Sequence, residues 1–159
     1  MARFEFDLRA GASPEVLRAA LLDFSDRRPD LWPGLPRDQY EVYAVGDTWA
    51  EVREGYRGPI WWRERYEWSS SGIVRCTAVD SGFGMPGSYF TWDVAAAEDD
   101  GSRVHVVWDR RGKTLFGRAF VGLMWLTRGF FIRRSFMMGI ARVTALELRN
   151  RSEDRRDPV

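Results

Sequence analysis

Polar and apolar positions alternate strictly over residues 3–9, with Phe4, Phe6 and Leu8 on one side and Arg3, Glu5, Asp7 and Arg9 on the other. That is the pattern of a strand with one solvated face. The period then lengthens. Ser13 can cap a helix, Pro14 suits its first position and Glu15 favours its positive end, after which Val16, Leu17, Ala20, Leu21 and Phe24 recur at helical spacing. A helix is therefore predicted to about Phe24, and a short second one over 26–32, before Pro33, Gly34 and Pro36 break the chain. From Gln39 the period returns to two. Strands are predicted over 40–45, 48–54, 60–69, 73–80, 88–97 and 103–111, with tight turns at Gly46-Asp47, Ser71-Gly72 and Asp99-Asp100-Gly101. Residues 113–149 contain no proline, are rich in Phe, Met, Leu, Arg and Ala, and predict one long helix bent near Gly129.

The expected architecture is α+β, in the order β-α-α-β-β-β-β-β-β-α, with the last helix covering the apolar face of an antiparallel sheet. In such a meander the three short hairpins share one end. The longer Gly- and Pro-rich connections, 55–59 and 82–87, gather with the approach to the last helix at the other end, which becomes the candidate mouth of a cavity. Residues 1–149 are expected to form one domain, followed by a frayed charged tail over 150–159.

Alternation also assigns faces. Ile60, Trp62, Glu64, Tyr66 and Trp68 share one, as do Phe90, Trp92 and Val94, and Val104, Val106, Trp108 and Arg110. Such an aromatic wall serves either as close-packed core or as pocket lining. Trp and Tyr carry polar atoms that need partners, and Glu64 lies in their midst, which favours a pocket. A single helical wheel for 113–149 places Phe116, Phe120, Leu123, Thr127, Phe130, Met137, Ala141 and Leu148 on the inner arc, with Arg134 among them and able to meet Glu64. The alternative puts Arg134 at an edge and Glu64 in water at the mouth. A second stripe of Trp125, Ile132, Phe136 and Val143 falls on the opposite side and asks for a partner, either a second copy of the chain or a membrane surface, with the second copy favoured.

Composition narrows the chemistry. The formal charge of +1 encodes no overall attraction to nucleic acid or to an anionic membrane. The most apolar run, 115–132, is interrupted by Arg118 and Arg128, so stable membrane insertion is not expected. One cysteine, Cys76, and one histidine, His105, allow neither a disulfide nor a zinc site built on those residues, and the first residues lack a signal-like apolar core, so a cytoplasmic protein is expected. His105 alternates away from the apolar face, Cys76 suits a small core position, and the glycine-rich 82–87 segment lacks the Lys-Ser/Thr pair of a phosphate loop. No cofactor is implied.

The Ser-Pro-Glu opening of the first helix, GDTW before the third strand, the central WWRERYEWS, and GSRVHVVW before the long terminal helix together resemble the SRPBCC superfamily, also called START-like or Bet v 1-like. The resemblance covers nearly the whole chain and rests on the ordered pattern. It implies a helix-grip fold, in which a seven-stranded antiparallel sheet wraps a long carboxy-terminal helix, and a cavity between them for an apolar small molecule.

Three functions stay open. The first is binding or carriage of a lipid-like or aromatic molecule, lined by Trp62, Glu64, Tyr66, Phe90, Trp92, Trp108, Arg110, Phe120, Leu123, Thr127, Phe130 and Arg134. The second is a cyclase or dehydratase with Glu64 as general acid or base, assisted by Tyr66, Arg110 or Arg134. The third is a protein-binding module acting through the second stripe.

Overall fold

The computed structural model describes residues 2–69, 72–98 and 101–154, and the side chains of these up to Arg149. The turn residues Ser71, Asp99 and Asp100 and the last five residues of the expected tail lie outside the described residues. Seven strands form one antiparallel sheet: β1 (Ala2–Ala10), β2 (Glu41–Val45), β3 (Trp49–Gly55), β4 (Trp61–Trp68), β5 (Ile73–Ser81), β6 (Tyr89–Ala96) and β7 (Ser102–Arg110). Their spatial order is β1-β7-β6-β5-β4-β3-β2. The chain thus runs as a meander from β2 to β7, and β1 closes against β7, with Phe4 opposite Trp108 and Phe6 opposite Val106. This is the helix-grip architecture.

Helices α1 (Pro14–Leu21) and α2 (Arg28–Leu31) lie between β1 and β2. Ser13 caps α1 as its sequence requires, its hydroxyl accepting from the Val16 amide at 3.4 Å. The Ser13 amide in turn donates to Glu147 Oε2 at 3.3 Å, which ties α1 to the carboxy-terminal helix.

The terminal helical segment is two helices, α3 (Leu115–Leu126) and α4 (Phe130–Asp154), whose axes differ by 77°. The single helix expected over 113–149 is therefore corrected, with its break at the expected bend. α3 ends because its last carbonyls are satisfied by a turn: Gly129 N–H donates to Met124 O at 2.8 Å and Arg128 N–H to Trp125 O at 3.0 Å. Those two bonds define a Schellman cap, which requires a left-handed residue. Arg128 adopts it with φ of 48°, and Gly129 follows at φ of 70°. A side chain at Gly129 would also collide with the Phe4 ring, 2.2 Å from the position of a Cβ, so glycine is needed there twice over.

The break changes which residues face inward. A wheel carried across it assumes continuous phase, and two left-handed residues destroy that phase. On α4 the inner face is Ile132, Ser135, Phe136, Gly139, Ile140 and Val143, and the outer face is Phe130, Arg133, Arg134, Met137, Met138 and Ala141. Phe130 and Arg134, expected inside, are on the outer groove. Ile132, Phe136 and Val143, expected outside as a dimer stripe, are packed inward, and only Trp125 of that set is exposed. Three of the four stripe residues thus pack against the core and do not form a continuous outer surface.

Candidate functional site

A cavity of about 570 Å³ lies between the concave face of the sheet and α3 and α4. Strand alternation supplies its wall: Trp62, Glu64 and Tyr66 from β4, Phe90 and Trp92 from β6, and Trp108 and Arg110 from β7. Phe120, Leu123 and Met124 of α3 and Phe131, Ile132, Ser135 and Phe136 of α4 cover it. Nine of the twelve residues assigned to the pocket from sequence meet here. Thr127 does not, because it is the cap of α3 and its hydroxyl donates back to Leu123 O at 2.9 Å.

The aromatic rings of the hollow form two groups, Phe90–Trp92–Phe136 and Trp62–Phe83–Phe120, bridged by the Arg110 guanidinium over Trp62 and Phe90. Phe136 sits 4.3 Å from Trp92 and 5.9 Å from Phe90, between ring centroids. Phe83 meets Trp62 edge-on at 4.9 Å and Phe120 at 5.2 Å, so the loop after β5 is joined to both wall and cover. Such contacts add about 0.5–1.5 kcal/mol per pair beyond burial and fix ring orientation. Of the lining residues, Tyr56, Leu123 and Phe131 are exposed large hydrophobics and mark the opening. It lies where the β3–β4 loop approaches the α3–α4 corner, the end expected from the loop pattern.

Two buried arginines give this apolar wall its electrostatics. Arg110 and Glu64 pair directly, each about 4% exposed. They sit on β7 and β4, so their side chains reach across β5 and β6, roughly 14 Å at the usual strand spacing of about 4.8 Å. The guanidinium lies over the Trp62 ring at 4.2 Å and the Phe90 ring at 5.1 Å. Burial works to lower the Arg110 pKa, yet the Glu64 carboxylate more than offsets it, and the group is held above the usual arginine value. Beneath the pair is Cys76, whose thiol burial and the Glu64 charge push well above its ordinary range.

The second arginine was not anticipated. Arg28 of α2 donates from Nε to Glu54 Oε1 at 2.5 Å and from Nη1 to Leu21 O at 2.9 Å. Tyr66 Oη donates to the other Glu54 oxygen at 2.9 Å, and Arg28 lies over the Tyr66 ring at 5.0 Å. Burial, reinforced by the neighbouring Cys76 and Glu54, holds the Tyr66 hydroxyl well above the phenol range. Glu54 had a sequence signal, since it shares the inward face of β3 with Ala50 and Val52. Arg28 had none, lying in a four-residue helix with no readable phase. Trp32, which also lines the cavity, is pinned by its Nε1 donating to Ala20 O at 3.2 Å and by close approach to Gly139.

Every buried side-chain nitrogen and oxygen among the described residues has a hydrogen-bond partner. The site is therefore an aromatic hollow with two internally neutralised ion pairs in its wall. Glu64 meets Arg110, and not Arg134, which lies outside. His105 is partly exposed on the opposite face of β7, 3.0 Å from Asp7. Among the described residues no three of His, Cys, Asp and Glu gather as metal ligands.

No protein-family model and no curated protein sequence matches the chain. Solved structures do. The aromatase/cyclase Zhui from Streptomyces superposes with a TM-score of 0.69 at 12% identity, over 87% of this chain and 90% of that one. Norcoclaurine synthase from Thalictrum flavum, in complex with dopamine and hydroxybenzaldehyde, gives 0.67 at 15%, over 91% and 86%. A START superfamily protein from Mycobacterium smegmatis gives 0.61 at 12%, over 84% and 97%. At these identities the likeness establishes the fold, and it is the fold that the SRPBCC resemblance implies.

Proposed function

We propose that the chain binds a small apolar molecule carrying an aromatic or similarly flat body, and holds it in the hollow between the sheet and α3 and α4. The observation that carries this reading is the combination of about 570 Å³ of space with a wall of Trp62, Phe90, Trp92, Trp108 and Phe136. Rings line such a space at little conformational cost, and a dry aromatic guest would restore the contacts they lack. The paired Glu64–Arg110 and Glu54–Arg28 offer edges for one or two polar groups of the guest without presenting a net charge to it.

A cyclase or dehydratase is the second reading, with Glu64 as the acid or base and Arg110 or Tyr66 beside it. It is supported by a carboxylate on an apolar wall and by two structural neighbours named as an aromatase/cyclase and a norcoclaurine synthase. Against it, Glu64 is already engaged by Arg110 inside the wall and is not left free to face a guest. Glu64→Gln separates the two, since an enzyme loses turnover with the guest retained.

Native mass spectrometry of the protein after incubation with a mixture of apolar aromatic compounds tests binding. One guest per chain is expected, lost in Ser135→Trp, which fills the hollow from α4. Absence of any bound small molecule contradicts the proposal.

A further inference from the structure

The outside of the α3–α4 corner is as apolar as the hollow beneath it. Trp125 and Leu126 are 60% and 73% exposed, and Phe130 and Phe131 are 58% and 52% exposed. These side chains cluster around one bend and leave an apolar patch far more continuous than the scattered exposed hydrophobics of an ordinary surface. Along this segment the charge has one sign. Arg118, Arg128, Arg133, Arg134 and Arg142 lie between Lys113, which pairs with Asp80, and Glu147, with no Asp or Glu among them. Among the described residues none of those five arginine side chains makes a hydrogen bond or ion pair. Arg133 and Arg134 also stand near the amino-terminal end of α4, where the helix dipole repels cations and attracts anions.

We propose that this corner docks the protein on the surface of an anionic lipid bilayer. Trp125, Leu126 and Phe130 would enter the boundary between headgroups and acyl chains, and the arginines would meet lipid phosphates. No single helix is long and apolar enough to cross a membrane, and α3, at about 18 Å, falls well short of a hydrocarbon core of about 30 Å. The segment therefore lies on the bilayer. A symmetric second copy is the poorer occupant, because the same arginines would face each other across the axis. Leu123 and Phe131 belong both to this corner and to the cavity lining, so docking turns the mouth of the hollow toward the lipid. Docking itself does not depend on what the hollow holds.

Co-sedimentation with vesicles of phosphatidylcholine alone, and of phosphatidylcholine mixed with phosphatidylglycerol, tests the proposal. The full chain is expected to pellet with the anionic vesicles and to be released by salt. Removing two surface charges in Arg133→Gln/Arg134→Gln should weaken binding about thirty-fold. Trp125→Glu/Leu126→Glu should abolish it. Both variants alter exposed positions and should keep the wild-type circular dichroism spectrum and guest binding. The proposal is overturned if wild type ignores the anionic vesicles, if it binds both kinds equally, or if the arginine variant binds unchanged. Light scattering that shows a dimer dissolved by Trp125→Glu/Leu126→Glu, with vesicles unbound, assigns the patch to a second copy instead.

Discussion

The concave wall of the sheet and the outer surface of the α3–α4 corner are built from the same ingredients, aromatic rings and arginines, and treat them in opposite ways. In the wall each arginine is buried, faces a carboxylate and lies over rings, as Arg110 does with Glu64, Trp62 and Phe90. At the corner Arg133 and Arg134 are exposed beside Phe130, with no acidic neighbour on their helix before Glu147. A buried charge is tolerable only when neutralised within the fold, whereas an exposed one is already hydrated and stays available to an outside anion. The wall is thus electrostatically closed and the corner open. That difference teaches where each can act: the wall on a neutral apolar guest, the corner on an anionic surface.

The comparison breaks most visibly by removing one charge from each region. Glu64→Ala leaves Arg110 buried without its carboxylate and should cost about 3–5 kcal/mol of stability in urea unfolding. Arg133→Ala should stay within about 0.5 kcal/mol. Equal effects would mean that the two regions are not distinct.

A smaller effect comes from crowding the cavity. A Cβ at Gly139 would lie 2.3 Å from the Trp32 ring, so Gly139→Ala must displace the indole or the helix. A loss of about 1–3 kcal/mol is expected, accompanied by weaker guest binding because Trp32 lines the hollow. Gly122→Ala, where a Cβ meets nothing within 4 Å, is the control at the corner.

High pH should also act on the wall. Burial pushes up the pKa of Tyr66 and Cys76, and of Tyr40, whose hydroxyl donates to the carbonyl of Phe24 packed edge-on against Tyr66, so the folded chain holds these protons more tightly than the unfolded chain does. Their contribution is complete below the ordinary values, about 8.5 for a thiol and about 10 for a phenol, and is lost as pH rises beyond them. Thermal melting followed across that range should show Tm falling above about pH 9, with a shallower fall in Tyr40→Phe. At neutral pH the Cys76 thiol should resist iodoacetamide until the protein is unfolded.

The smallest expected effect is Leu126→Ser at the corner, within about 0.5 kcal/mol by urea unfolding, since its side chain is already in water.

Much of this was readable along the strands. Period-two alternation placed Trp62, Glu64, Tyr66, Phe90, Trp92, Trp108 and Arg110 on one face because the pleat enforces that period whatever the tertiary context. The helices were harder. Gly129 signalled the bend, but nothing in the residues revealed that Arg128 would turn left-handed and reset the phase, so Phe136 and Ile132 were exchanged with Phe130 and Arg134. The Glu64–Arg110 pair spans β5 and β6, a contact that alternation cannot specify, since it depends on how far the sheet curves. Arg28 reaches the wall from a helix of four residues, too short to show any periodicity. The ordered pattern of Ser-Pro-Glu, GDTW, WWRERYEWS and GSRVHVVW was sufficient for the fold, while the site needed the crossing of elements distant in sequence.

The measurement closest to the central claim is isothermal titration of the wild-type protein and of Ser135→Trp with naphthol, a flat apolar aromatic probe. The account predicts one saturable site per chain in the wild type, with a negative heat-capacity change from apolar burial, abolished in Ser135→Trp and retained in Leu126→Ser. Absence of saturable binding, or binding that survives Ser135→Trp and disappears in Leu126→Ser, would contradict it.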